Sequence, residues 1–403
     1  MKNKSGFWAW CMIDFANSLL YTNLILYLPL WLTIESNISD FYFNLFFIGS
    51  TVLALILAPL LGVNGDKNNR RLLYLKSLNY IVLILGLAIA IIGLLTSAQF
   101  WAYVCGILFM LLNTSYLLSL QFYDSMLPDL QSSDKLAKGS AIGFSMGWVG
   151  AIIGVLVVMP IASLGITESR LYALLFAAVI GAIVLIPSLS KLKPRYIANK
   201  DIIIKPKSSS FKVFLRLISK KSIFLFLIAY FIFMDSILTI QSNLSIYVER
   251  VFGLGDTLKG FLAIIIIVVG VVGALSTMNI KKSRSVYRWI LVLVIISSFF
   301  IIFSSLANQQ NVTIVLLIIS FLLFGAIISL SRTYFSKISD VQYRSTSFSW
   351  YSIAQKSSSL IGPLIWGGLI AGSYSYPSAL LVMGFLMLIS VFPLIMAKKR
   401  LGS

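Results

Sequence analysis

Apolar residues run through this chain in long blocks, and short polar clusters separate them. The blocks lie at 7–33, 41–63, 72–96, 98–124, 139–162, 170–190, 222–248, 258–279, 287–307, 312–335, 346–371 and 376–397. About 20 apolar residues cross a hydrocarbon core as one helix. The pattern therefore predicts twelve transmembrane helices in an all-α polytopic membrane protein. The first block, from Gly6, is too long for the apolar part of a signal peptide and has no small-residue cleavage site, so it reads as span one. Composition agrees. Only 11% of the 403 residues are charged, against about 25% in soluble domains.

Charge then gives orientation. With the N-terminus placed in the cytoplasm, 28 of the 32 Lys and Arg residues fall on inside segments. That is the positive-inside bias of membrane proteins. Arg170, Arg250 and Lys259 fall outside, and Lys356 falls within a span. An even span count puts both termini inside. The formal charge of +19 follows from the same bias, so nucleic acid is not expected as a partner.

The chain divides at one long polar stretch. Residues 191–221 are basic and include "KPKSSS", and they part six spans from six. The expected units are an N-terminal half, 1–190, a cytoplasmic linker, 191–221, and a C-terminal half, 222–403. Span one, "FWAWCMIDFANSLLYTNLILYLPLWL", and span seven, "FLIAYFIFMDSILTIQSNLSIYVERVF", share an order of features: aromatic start, Asp, polar stripe, Asn, Tyr. Asp14 and Asp235 correspond. Two similar halves with a site near the midplane form a recurring transporter plan.

A carboxylate inside such a block is expensive, so it marks a site. Asp14, Asp235 and Lys356 lie about 15, 21 and 18 Å from the last cytoplasmic charge at 1.5 Å per residue. Two acids and one base at one depth can compensate one another. Asn17 and Tyr21 follow Asp14 at helical spacing, as Thr239 and Ser242 follow Asp235. We read Asp14, Asp235 and Lys356 as charge-compensating and coupling residues, and Asn17, Tyr21 and Gln241 as hydrogen-bond partners for substrate. A salt bridge that only locks two helices is the alternative. With no histidine in the chain, proton chemistry falls to carboxylates, Lys or Tyr. Sodium stays open as a coupling ion, because Asp, Asn and Ser oxygens could also hold it.

After span two comes "GVNGDKNNRR", Gly62 to Arg71. It is similar to the G-x-x-x-D-[RK]-x-G-[RK]-[RK] loop of the major facilitator superfamily, with Asn69 at the second Gly. Asn tolerates positive φ next best after Gly. Asp66 and Arg70 then read as a cytoplasmic gate latch, with Asp124 as the partner of Arg70. Span five carries Gly139, Gly143, Gly147, Gly150 and Gly154 on one face, which allows close helix contact. Pro363 in span eleven predicts a kink. "GLGD" at 253–256 and "YD" at 123–124 echo intramembrane aspartyl proteases, but about 30 Å of hydrocarbon would part the two acids. No enzyme is expected. Cys11 and Cys105 both fall within spans, so no disulfide framework is expected. No cofactor and no metal site are expected, and no G-x-x-x-x-G-K-[ST] loop for ATP is present.

Several stretches resemble one family. "WAWCMIDFANS" resembles the W-x-x-x-D-F-A-N-S opening of vacuole-effluxer-like transporters, a group of the major facilitator superfamily. "FYDSMLPDLQSSDKLAKGSAIGFSMGWVG", "FLIAYFIFMDSILTI", "SRTYFSKI" and "AQKSSSLIGPLIWG" are similar to its later motifs. The resemblance implies the twelve-helix major facilitator fold and alternating access, and its eukaryotic members export amino acids from vacuoles. The expectation is a monomeric secondary transporter of small organic solutes, amino acids among them, coupled to protons or another ion. It would sit among lipid in a plasma membrane. A non-transporting receptor or scaffold with a carrier fold, or a lipid transporter, are the alternatives.

Overall fold

The computed structural model describes residues 4–68, 70–96, 98–130, 136–166, 168–192, 219–277, 280, 283–307, 309–338, 351, 355 and 357–399. The described residues form helices and connecting turns, with no strand among them. The fold is an all-α polytopic membrane fold. Eleven helices are long and apolar enough to cross a membrane, and Ile361–Ala371 is a shorter apolar one.

The first six are α1 (Lys4–Leu30), α2 (Asp40–Lys67), α3 (Arg71–Leu95), α4 (Gln99–Ser125), α5 (Leu136–Ala162) and α6 (Ser169–Lys191). The next six are α7 (Lys221–Phe252), α8 (Asp256–Ser276), α9 (Ser283–Leu306), α10 (Gln310–Ile338), α11 (Ile361–Ala371) and α12 (Tyr376–Ile389). A last segment, α13 (Val391–Lys399), continues α12 past Ser390. A π-helical turn, Trp31–Glu35, extends α1. Most spans match the apolar blocks to within a few residues. For span eleven, 346–350 lie outside the described residues; Tyr351, Gln355 and Ser357 are helical, a turn follows at Ser358 and Ser359, and Pro363 lies in the first turn of the helix Ile361–Ala371, where proline is tolerated.

Two compact units emerge. The first takes Met1–Lys200 with Gly253–Ile264, and the second takes Asp201–Phe252 with Ile265–Ser403. Most of the basic linker, 193–218, lies outside the described residues. Within the first unit, α1 packs on α5 and α6, α3 on α4 and α6, and α2 on α4. Within the second, α7 packs on α11 and α12, and α9 on α10 and α12. Adding six to each helix number in the α1 and α3 pairings of the first unit gives the pairings of the second.

Glycine allows close helix contacts in each unit. A Cβ at Gly150 would run into the backbone carbonyl of Phe15, and one at Gly143 into the Trp10 ring. A Cβ at Gly154 would stand 2.9 Å from Leu19 Cγ. The glycine face of α5 thus seats α1 backbone to backbone. In the second unit, Gly273 meets the Leu322 carbonyl and Gly325 meets the Gly270 carbonyl. Small residues allow this approach where lipid gives no hydrophobic drive between helices.

Candidate functional site

The centre of α1 carries the polar set of the first unit. Asp14 is half-buried and lies over the glycine face of α5. A Cβ at Gly147 would stand 2.6 Å from Asp14 Oδ2 and 3.1 Å from Ser18 Oγ. Among the described residues, no hydrogen bond or ion pair reaches the Asp14 carboxylate. A second carboxylate, Asp124 at the end of α4, acts on it electrostatically. Tyr116 and Tyr123 of α4 lie in the field of both acids.

Aromatic stacking fixes this arrangement. The Trp10 and Tyr123 rings stack with centroids 4.3 Å apart, and Trp10 Nε1 donates to the Tyr123 carbonyl at 3.0 Å. About three turns further along α1 and two turns back along α4, Tyr21 stacks on Tyr116 with ring centroids 3.9 Å apart. The Tyr21 hydroxyl donates to Asn113 Oδ1 at 3.0 Å, and Asn113 Nδ2 donates to Ser50 Oγ at 2.6 Å. A hydrogen-bonded chain therefore joins α1, α4 and α2. Asn17 is buried, and its Oδ1 has no donor among the described residues. The Tyr123 hydroxyl is likewise buried without a partner there. Buried polar atoms of this kind are rare in finished cores and common where a ligand or water completes the set.

The second unit carries Asp235 at the middle of α7. It is only 3% exposed. The polar residues that follow it are mostly satisfied by their own helix. Thr239 Oγ1 donates to the Asp235 carbonyl at 2.6 Å, Ser242 Oγ to the Thr239 carbonyl at 3.1 Å, and Asn243 Nδ2 to the same carbonyl at 3.0 Å. Such back-bonding lets a hydroxyl or amide sit in an apolar span at little cost. Asp235 itself approaches α11. A Cβ at Gly362 would stand 3.1 Å from the Asp235 carboxyl carbon.

Other residues singled out in the sequence fall elsewhere. Gln241 is exposed and lies six residues from Asp235, about 240° round the helix at 100° per residue. Lys356 lies outside the described residues, as does the side chain of Asp66. Arg70 is exposed, and its backbone N–H donates to the Gly65 carbonyl at 2.9 Å. Among the described residues, no ion pair joins Arg70 to Asp124.

One charged cluster of the first unit escaped the sequence. Arg170, at the start of α6, reaches two acids. Its Nε lies 3.0 Å from Asp256 Oδ2, and its Nη1 lies 3.1 Å from Glu35 Oε1. Lys259 Nζ lies 2.6 Å from Asp256 Oδ1, with its side chain 1% exposed. Arg170 and Lys259 are two of the three basic residues assigned to the outer side. Their misfit with the charge rule was the available signal, and Asp256 and Glu35 are its reason.

Sequence and structure comparisons agree with this architecture. A family model described as "Vacuole effluxer Atg22 like" matches residues 134–402. The chain belongs to the vacuole effluxer Atg22-like family. One relative is an "Uncharacterized MFS-type transporter YxiO" of Bacillus subtilis (strain 168), 27% identical over 60% of this chain and 59% of that protein. Another is "Autophagy-related protein 22-1" of Aspergillus niger, 25% identical over 36% of this chain and 26% of that protein. The chain thus matches less than two thirds of either relative's length. A point mutant of the nucleoside transporter NupG superposes with TM-score 0.78 at 12% identity, covering 97% of this chain and 99% of that one. A bacterial homologue of the human lysosomal transporter Spinster, inward-facing and occupied, gives 0.75 at 14% identity, covering 98% and 96%. At such identities the likeness establishes the fold: a major facilitator architecture in a vacuole effluxer Atg22-like chain.

Proposed function

We propose that this Atg22-like chain is a secondary transporter of small organic solutes, amino acids among them, driven by protons. It would work in a plasma membrane with both termini cytoplasmic, and it would perform no covalent chemistry. The observation that carries the reading is Asp14. A carboxylate with no ion pair or hydrogen bond among the described residues sits in an apolar span beside a second carboxylate and a row of phenols. A carboxylate removed from water in this way is relieved by a proton or by an incoming cation. Asn17 and Tyr21, about one and two turns further along α1, supply hydrogen-bonding groups on the same helix. The family match and the names of the relatives support transport as the activity.

Asp235 is the second central acid, and Lys356 and Gln241 complete the proposed set. The Asp66, Arg70 and Asp124 latch is proposed for a conformation other than this one, since Arg70 and Asp124 do not pair here. In the mechanism, access to the Asp14 region alternates between the two sides of the membrane. Protonation of Asp14 on one face and release on the other would tie solute movement to the proton gradient. Sealed proteoliposomes with an internal pH dye test this against a panel of amino acids and other small solutes. A solute-dependent pH change is expected. Solute uptake that proceeds with no proton movement would leave a uniporter or a sodium-coupled carrier instead. No uptake of any solute would point to a receptor.

A further inference from the structure

The start of α11 lies inside an apolar segment rather than at a loop. Tyr351, Gln355 and Ser357 are helical, Ser358 and Ser359 form a turn, Leu360 bends, and the helix resumes at Ile361. The first N–H groups of a helix have no acceptor within it. In hydrocarbon, water cannot supply one. Leu360 occupies the capping position and has no side-chain oxygen to offer. Ser358 Oγ is turned back to the Gln355 carbonyl at 2.6 Å.

Asp235 meets this helix end from α7. Its carboxyl group lies against Gly362, the second residue of that helix. Gly362 makes the approach possible, because a Cβ there would collide with Thr239 Oγ1 and press on the Asp235 carboxyl carbon at 3.1 Å. The Thr239 hydroxyl itself points away, to the Asp235 carbonyl. Asp235 is almost fully buried, and its Oδ1 has no donor among the described residues. A short side chain with an oxygen at the first N–H groups is what an N-cap requires.

We infer that Asp235 caps the N-terminus of α11 from a neighbouring helix, and that Gly362 is the opening that admits it. The break in span eleven then persists because α7 satisfies it. Asp14 has no such task. It lies over Gly147, three turns into the continuous helix α5, whose N–H groups there are already used. Asp235 thus holds the break as a positioning residue.

Asn caps as well as Asp, whereas Ala does not, so substitution separates capping from proton transfer. The full-length protein in detergent is compared as wild type, Asp235→Asn and Asp235→Ala. Thermal unfolding and amide exchange at Ile361, Gly362 and Leu364 are read. Asp235→Ala is expected to lower the midpoint by several degrees and to speed exchange at least tenfold at those amides. Asp235→Asn is expected to match wild type in both. Equal damage from Asn and Ala, or unchanged exchange in Ala, overturns the cap. Should wild type move no proton, the proposed function fails while the exchange data still decide the cap.

Discussion

Removal of Arg170 tests the buried charges of the first unit. Asp256 accepts from Arg170 Nε through both oxygens, at 3.0 and 3.3 Å, and from Lys259 at 2.6 Å. The side chains of Arg170 and Asp256 are 11% and 9% exposed, and that of Glu35 is 31% exposed. Stripping one partner from a buried ion pair costs about 3–5 kcal/mol, because the remaining charge has lost both water and its partner. Lys259 still neutralises Asp256 after Arg170→Ala, which places the loss near the lower bound, about 3 kcal/mol. Glu35 is wet enough for the surface scale, so Glu35→Ala should cost about 1 kcal/mol or less. Equilibrium unfolding in mixed micelles, followed by tryptophan fluorescence, measures both. The Arg170–Asp256 coupling from a double-mutant cycle should fall at about 1–3 kcal/mol. Added salt should trim the Glu35 effect and spare the Asp256 effect, because buried pairs are screened less. A Glu35→Ala loss equal to that of Arg170→Ala, or a coupling near zero, refutes the argument.

Two further outcomes are expected. Gly150→Ala should destabilise by about 1–3 kcal/mol, since the new methyl meets the Phe15 carbonyl and not a movable side-chain tip. Gly181→Ala, whose nearest neighbour would be Leu20 Cβ at 3.6 Å, should be neutral or slightly stabilising through helix propensity; thermal unfolding of the two variants gives the order. Exchange of the charges at positions 70 and 124 should recover part of the flux lost by each single reversal if Arg70 and Asp124 meet during the cycle. Uptake assays that show no recovery would assign the latch to other partners.

The apolar blocks were legible because hydropathy over about 20 residues reports the need to span hydrocarbon, and little else in a chain satisfies that need. Asp14 and Asp235 stood out for the same reason: a carboxylate among leucines has to be accounted for. The glycine face of α5 was visible from spacing alone. The break in span eleven was not, because hydropathy reads composition and is blind to backbone hydrogen bonds; "SSSLIGP" is apolar enough to pass as helix. The run of serines before Gly362 and Pro363 was the available hint. Gln241 lies about 240° round α7 from Asp235, a separation that closeness along the chain hides. Asn113 and Ser50 were missed because one Asn or Ser in a span is ordinary until its partner is known. The Arg170–Asp256 contact joins residues 86 apart in sequence, and no local pattern encodes it.

The central claim is that Asp14 carries a proton in exchange for, or together with, a solute. Proton flux into sealed proteoliposomes, read with an internal pH dye, tests it most directly in wild type and in Asp14→Asn. The account predicts a solute-dependent pH change in wild type that Asp14→Asn abolishes while solute-for-solute exchange continues. An Asp14→Asn protein that still moves protons with its solute would contradict it.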